Sequence, residues 1–216
     1  MRLKNFSDRF LTSLILLPTS FFLVYYNNLT FLIFLITLFI ISNYEWYKLS
    51  LNKSLPLIYY LGVFFLFISF FSTYYLHGQN FESKIFFIWI LSICIFSDLG
   101  GYFVGNIFGG KKLTKFSPNK TVSGSIGSFF FSLITSIFIL LYILNLNDID
   151  FKFILIILFF SLVSQIGDIV VSFFKRKKKI KDSGRLLPGH GGLLDRIDGM
   201  IFVMPIAAFF KYLQIY

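Results

Sequence analysis

The chain has 216 residues, of which 56% are hydrophobic and only 14% charged, with a mean hydropathy of +0.78. Soluble domains carry about 25% charged residues, so a soluble globular protein is excluded: there is too little polar surface to cover a core of this size. The net charge of +10 is concentrated in clusters at Lys111–Lys120 and Lys175–Arg196, each beside apolar runs. Such clusters point to anionic lipid headgroups, nucleotides or the cytoplasmic leaflet as partners, and not to nucleic acid.

A helix needs about 20 apolar residues to cross a bilayer core. Seven stretches qualify as candidate spans, in chain order 11–26, 29–47, 56–76, 85–108, 124–145, 152–174 and 199–216. The first follows Arg2, Lys4 and Arg9 but lacks a small-residue cleavage site, since Tyr25-Tyr26-Asn27-Asn28 follows it, so it reads as a membrane helix rather than a signal peptide. With a cytoplasmic N-terminus and alternating spans, every one of the 20 Lys and Arg except Lys84, Lys152 and Lys211 falls on the cytoplasmic side. That is a strong positive-inside bias. The expected fold is an all-α polytopic membrane protein of about seven transmembrane helices. The lone cysteine, Cys94, lies in an apolar run and reads as a small core residue.

The informative residues are polar groups in apolar surroundings. Asp98 ends the run from Ile85 to Ser97, and Gly101, Gly105 and Gly109 follow at helical spacing, which permits close helix packing. Asp168 sits in Ser164-Gln165-Ile166-Gly167-Asp168, with Ser172 one turn later. A carboxylate in hydrocarbon costs on the order of 3 kcal/mol and needs a partner or water.

A cytoplasmic segment follows, from Lys175-Arg176 through Lys181-Asp182-Ser183-Gly184 and Pro188-Gly189-His190-Gly191-Gly192 to Asp195-Arg196-Ile197-Asp198. Its glycine-rich turn exposes backbone amides that can approach phosphate oxygens. Asp195 and Asp198, three residues apart, share a helix face, and with Asp168 they form an oxygen-ligand set suited to Mg²⁺. A second loop, Ser117-Pro118-Asn119-Lys120-Thr121, brings a lysine and hydroxyls to the start of a helix, as a phosphate cradle would. Basic residues, a glycine-rich turn and clustered carboxylates are the parts of phosphoryl or nucleotidyl chemistry. His77 is expected to be an inert loop residue on the non-cytoplasmic side.

The stretch from Ser172 to Asp198 resembles the signature of the phosphatidate cytidylyltransferase (CDP-diacylglycerol synthase) family. Ser117-Pro-Asn-Lys120-Thr121 is similar to that family's Ser-Pro-x-Lys-Thr motif, and Gln165-Ile-Gly167-Asp168 to its Gln-x-Gly-Asp segment. Asp98 with Tyr102, Gly105 and Gly109 resembles its first motif. The resemblance covers about residues 97–198. The family usually has Glu at the positions of Ser123 and Val171, and often Ser at that of Gly199.

The resemblance implies CTP + phosphatidate → CDP-diacylglycerol + pyrophosphate with Mg²⁺, a second cation being possible. It implies Asp168 and Asp195 as metal ligands, with Asp198 as a third ligand or a residue orienting the others. Lys175, Arg176 and Arg196 would hold phosphates of CTP or the lipid. Ser117, Lys120 and Thr121 would hold the triphosphate, and Lys181, Asp182, His190, Gly191 and Gly192 would line the turn that closes over it. Asp98 would belong to the polar cavity. The whole of 1–216 is expected to be one membrane domain, with 1–84 a helical scaffold and 85–216 the catalytic helices and loops. A homodimer is implied, in a bacterial inner membrane with the site facing the cytoplasm. The other readings are a transporter using Asp98 and Asp168, a CTP-dependent enzyme acting on a different lipid or a polyprenol, and an inactive relative.

Overall fold

A computed structural model describes residues 27–50, 56–115, 117–142, 150–184 and 191–215. Seven helices lie among them: α1 (Asn28–Ser50), α2 (Pro56–His77), α3 (Phe81–Phe108), α4 (Val122–Tyr142), α5 (Phe151–Lys177), α6 (Leu194–Ile197) and α7 (Met200–Tyr212). The first five are long and apolar enough to cross a membrane. They correspond to the second through sixth expected spans. The expected span 11–26 lies outside the described residues. The expected span 199–216 is a helix of 13 residues with Pro205 inside it. At 1.5 Å per residue it is roughly 20 Å long, less than the ~30 Å hydrocarbon core.

Local chemistry sets the helix ends. Asn27 and Thr30 bond reciprocally at the start of α1, the Thr30 amide donating to Asn27 Oδ1 at 2.7 Å and the Asn27 amide to Thr30 Oγ1 at 3.3 Å. α2 begins on Pro56, where a missing amide hydrogen costs nothing. Thr121 caps α4, its hydroxyl oxygen accepting from the Gly124 amide at 3.1 Å. α5 ends in a Schellman turn. The Ile180 amide donates to the Lys175 carbonyl at 3.0 Å and the Lys179 amide to the Arg176 carbonyl at 2.9 Å, with Lys179 left-handed at φ 56°.

The described residues form two compact units, Met1–Tyr74 with Phe174–Ile197, and Tyr75–Phe173 with Asp198–Tyr216. The segment after Phe174 groups with α1 and α2. In the first unit, Trp46 of α1 packs edge-on to Phe174 with ring centroids 4.9 Å apart, and its indole N–H donates to the Tyr59 carbonyl of α2 at 3.1 Å.

In the second unit α3 packs along α4 through small residues. A Cβ on Gly100 or Gly127 would meet the backbone carbonyl of the other, and one on Gly124 would lie 2.7 Å from the Gly101 carbonyl oxygen. From Val122 to Phe138 the outer face of α4 carries exposed Val122, Ile126, Phe130, Ile134 and Phe138, whereas the buried face carries Gly124, Gly127, Ser128, Ser132 and Ser136, with buried Ile139 and Leu140 only in the last turn. Large apolar residues outside and small or polar residues inside reverse the soluble arrangement and suit a helix solvated by lipid.

Two expectations need correction. Gly109 does not belong to the packing stripe. It terminates α3 with φ 58°, and a Cβ there would meet nothing within 4 Å. His77 is not a loop residue: it is the last residue of α2, buried, and edge-on to Phe87 at 5.7 Å. Cys94 is buried and free, as its apolar surroundings lead one to expect.

Candidate functional site

The loop between α3 and α4 folds back on itself. The Leu113 amide donates to the Lys120 carbonyl at 2.8 Å and the Val122 amide to the Lys111 carbonyl at 2.9 Å, around a bridge between Lys112 and Thr121. This closure presents Lys120 to α5, where its ammonium forms an ion pair with Asp168. Ser172 donates to the same carboxylate at 3.3 Å. Both side chains of the ion pair are about a quarter exposed, at 26% and 23%. Ser117 is buried in the loop, its carbonyl accepting from the Lys120 amide at 3.1 Å.

Beside Asp168, α5 makes its closest approach to the chain entering α7. A Cβ on Gly167 would lie 2.7 Å from the Asp198 carbonyl oxygen, and one on Gly199 would run into Ser164. Two glycines flanking the two aspartates therefore let these backbones meet. Asp198 is buried, and its Oδ1 accepts from the Gly199 amide at 3.0 Å. Asp98 lies on an exposed part of α3 in this second unit.

The first unit holds a second lysine–aspartate pair. Lys175 donates to Asp195 Oδ1 at 2.7 Å, and the amides of Ser183 and Gly192 donate to Oδ2 at 2.8 and 3.1 Å. These side chains are only 11% and 10% exposed. Gly191 turns the chain with φ 88°, and a Cβ there would sit 3.3 Å from Asp195 Oδ2 and 3.4 Å from Asp182. Around this buried pair Arg176, Lys181, Asp182 and Arg196 are exposed, with Arg176 donating to the Ile180 carbonyl at 3.3 Å. His190 lies outside the described residues.

The structure thus gathers Ser117, Lys120, Thr121, Asp168 and Asp198 in one unit. It gathers Lys175, Asp182, Gly191, Gly192 and Asp195 in the other. Among the described residues no three His, Cys, Asp or Glu side chains gather so as to hold a metal ion. Each of Asp168 and Asp195 is instead paired with a lysine ammonium, so each already holds a cation, and all-oxygen donors of this kind suit a hard divalent ion.

Ser123, at a position where an acid was expected from the resemblance, donates its hydroxyl proton to the Gly109 carbonyl and accepts from the Thr121 hydroxyl at 3.0 Å. Val171, at the other such position, is buried.

Sequence reasoning missed Glu45. It lies in the apolar span of α1, 1% exposed, and accepts from the Ser183 hydroxyl at 2.8 Å and the Leu193 and Leu194 amides at 3.0 and 2.8 Å. The same criterion that singled out Asp98 and Asp168, an acid within an apolar run, applies equally to Glu45.

Apolar helices long enough to cross a membrane, with lysine–aspartate pairs where their ends meet the loops, define an integral membrane protein carrying paired charged groups. The chain belongs to the cytidylyltransferase family, whose model matches residues 53–214. It is similar to the phosphatidate cytidylyltransferase of Bacillus subtilis (strain 168), 42% identical over 140 residues, which are 63% of this chain and 51% of that protein. It is similar also to phosphatidate cytidylyltransferases of Staphylococcus aureus (strain COL), 38% identical over 148 residues (68% and 54%), and Staphylococcus saprophyticus, 38% over 133 residues (61% and 51%). The chain spans about half the length of the curated relatives it matches.

Proposed function

We propose that the chain transfers a cytidylyl group from CTP to phosphatidate, giving CDP-diacylglycerol and pyrophosphate, at the cytoplasmic face of a bacterial inner membrane. The observation that carries this reading is the placement of two buried or half-buried lysine–aspartate pairs, Lys120 with Asp168 and Lys175 with Asp195, on the segments that match the family. An oxygen of the lipid phosphate attacks the α-phosphorus of CTP, the bond from that phosphorus to the bridging oxygen breaks, and pyrophosphate leaves with the electron pair. A phosphate monoester dianion is already nucleophilic, so positioning and charge neutralisation carry the catalysis and no strong general base is required.

In this reading Lys120, with Ser117 and Thr121 in its loop, holds the triphosphate. Lys175, Arg176 and Arg196 hold phosphate oxygens, and Lys181, Asp182, His190, Gly191 and Gly192 line the turn. Asp168 and Asp198 in one unit, and Asp195 in the other, are the carboxylates this reading offers to Mg²⁺, which when bound would offset phosphate charge and orient the triphosphate. Asp98 belongs to the polar lining of the second unit. The positive-inside distribution supports a cytoplasmic site. A homodimer is part of the same proposal.

The test is product formation by the purified protein in mixed micelles with labelled CTP, phosphatidate and Mg²⁺, with Asp195→Asn as control and ATP as the competing nucleotide. Lipid-extractable CDP-diacylglycerol from the unsubstituted protein and at least about 100-fold less from Asp195→Asn is the expected outcome. No product from folded protein across several lipid acceptors overturns the reading.

A further inference from the structure

We propose that Glu45, on a helix that precedes the family-matched stretch, is a positioning residue that holds the Asp195 loop in its working geometry; the inference rests on the function proposed above. A carboxylate buried to 1% exposure in an apolar helix is costly unless donors satisfy it. Three do, and all three come from one loop. Ser183 contributes its hydroxyl, and Leu193 and Leu194 contribute their amides at the entry to α6. The loop is built around this carboxylate, since a Cβ on Gly184 would overlap it and one on Gly192 would lie 2.7 Å from Glu45 Oε2.

The link to the reacting groups is Ser183. Its hydroxyl is held by Glu45, while its amide donates to Asp195 Oδ2 at 2.8 Å. Leu194, also held by Glu45, directly precedes Asp195. One buried acid on α1 therefore fixes the chain on both sides of the Asp195 contacts. Glu45 touches no proposed substrate group itself and acts through Ser183 and Leu194. This gives the N-terminal helices a part in the site that the scaffold expectation did not include.

The experiment compares Glu45→Gln, Glu45→Asp and Ser183→Ala with the unsubstituted protein, by hydrogen exchange at the Leu193 and Leu194 amides, by steady-state kinetics and by thermal unfolding. Glu45→Gln keeps the shape but replaces one acceptor oxygen with an NH₂ that faces donors. Exchange at Leu193 and Leu194 should rise by about tenfold or more, as expected for the loss of a charge-assisted hydrogen bond. Turnover should fall by about 100-fold with KM for either substrate within about threefold, the pattern of a misplaced reacting group.

Glu45→Asp, which keeps the charge, should recover part of the turnover. Ser183→Ala, which leaves the amide bond to Asp195 in place, should lose about fivefold to tenfold. Ser183→Ala also supplies the answer if Glu45→Gln fails to accumulate. Unchanged exchange or unchanged kcat in Glu45→Gln overturns the proposal, as does a loss confined to thermal stability or a full kcat in Ser183→Ala. If the unsubstituted protein has no turnover, the cytidylyltransferase reading fails, and the exchange measurement alone decides whether Glu45 holds the loop.

Discussion

The two lysine–aspartate pairs differ in burial, and that difference fixes how strongly each is coupled. Lys175 and Asp195 are 11% and 10% exposed and 2.7 Å apart, with two further amides on the second carboxylate oxygen. Lys120 and Asp168 are 26% and 23% exposed. A desolvated, charge-assisted bond contributes about 1.5–3 kcal/mol, whereas solvent-screened ion pairs contribute about 0.2–1 kcal/mol. A double-mutant cycle of Lys175→Met and Asp195→Asn should therefore give a coupling energy of about 2–3 kcal/mol, against about 1 kcal/mol or less for Lys120→Met and Asp168→Asn.

The single substitutions should also be unequal. Lys175→Met leaves Asp195 with its two amide donors, while Asp195→Asn leaves a buried ammonium without its counter-charge. Asp195→Asn should cost about 3 kcal/mol or more and Lys175→Met less. Reversible unfolding in mixed micelles, followed by circular dichroism as detergent composition is varied, measures all of these values. A coupling below about 0.5 kcal/mol for the Lys175 pair would refute the argument from burial. So would equal coupling for the two pairs, or a larger cost for Lys175→Met.

Two further predictions concern backbone geometry. Lys179 ends the Schellman turn of α5 at φ 56°, so Lys179→Gly should raise stability by about 1 kcal/mol in the same unfolding assay. Gly167→Ala places a methyl 2.7 Å from the Asp198 carbonyl and against Phe202; it should lower stability by about 1–3 kcal/mol and reduce turnover by displacing Asp168, and normal stability would show that the crossing can relax.

Much of this architecture was legible in sequence because hydropathy and charge act over whole segments. The five long helices fall where apolar runs of spanning length fall, and the capping threonine and the Lys120 loop stand where the sequence placed a helix start. The contacts that join distant segments were not legible. Nothing local to Lys120 or Asp168 states that they pair, and although Glu45 stands out as an acid in an apolar run, nothing local to it states that its partners lie 138 and 148 residues further along the chain. Gly109 shows the reverse error: three glycines at helical spacing look alike in sequence, but the third has left the helix, and only its positive φ separates turn from packing. The grouping of the segment after Phe174 with α1 and α2 was hidden for a related reason: the basic run that starts at Lys175 marks a change in composition but does not say that Trp46 meets Phe174 or that Glu45 meets Ser183.

The two positions that lack the expected acids sharpen the electrostatics of the proposed site. Ser123 spends its hydroxyl on the Gly109 carbonyl at the end of α3, and Val171 is 3% exposed. A carboxylate at 171 would have to be buried, at a cost of several kcal/mol unless it found a partner. The carboxylates on which the proposed function draws are then Asp168, Asp195 and Asp198, and the first two are each neutralised by a lysine. Neither pair repels an anion. In the first unit Arg176, Lys181 and Arg196 are exposed basic residues, and under the proposed function this is where a triphosphate or a lipid phosphate would first be attracted. Under the proposed function, binding would be an exchange: a lysine would move from carboxylate to phosphate, and the released carboxylate would be available to a divalent cation. Such an exchange would keep every charge compensated at each stage, which a site of unpaired aspartates facing an incoming polyphosphate would not do.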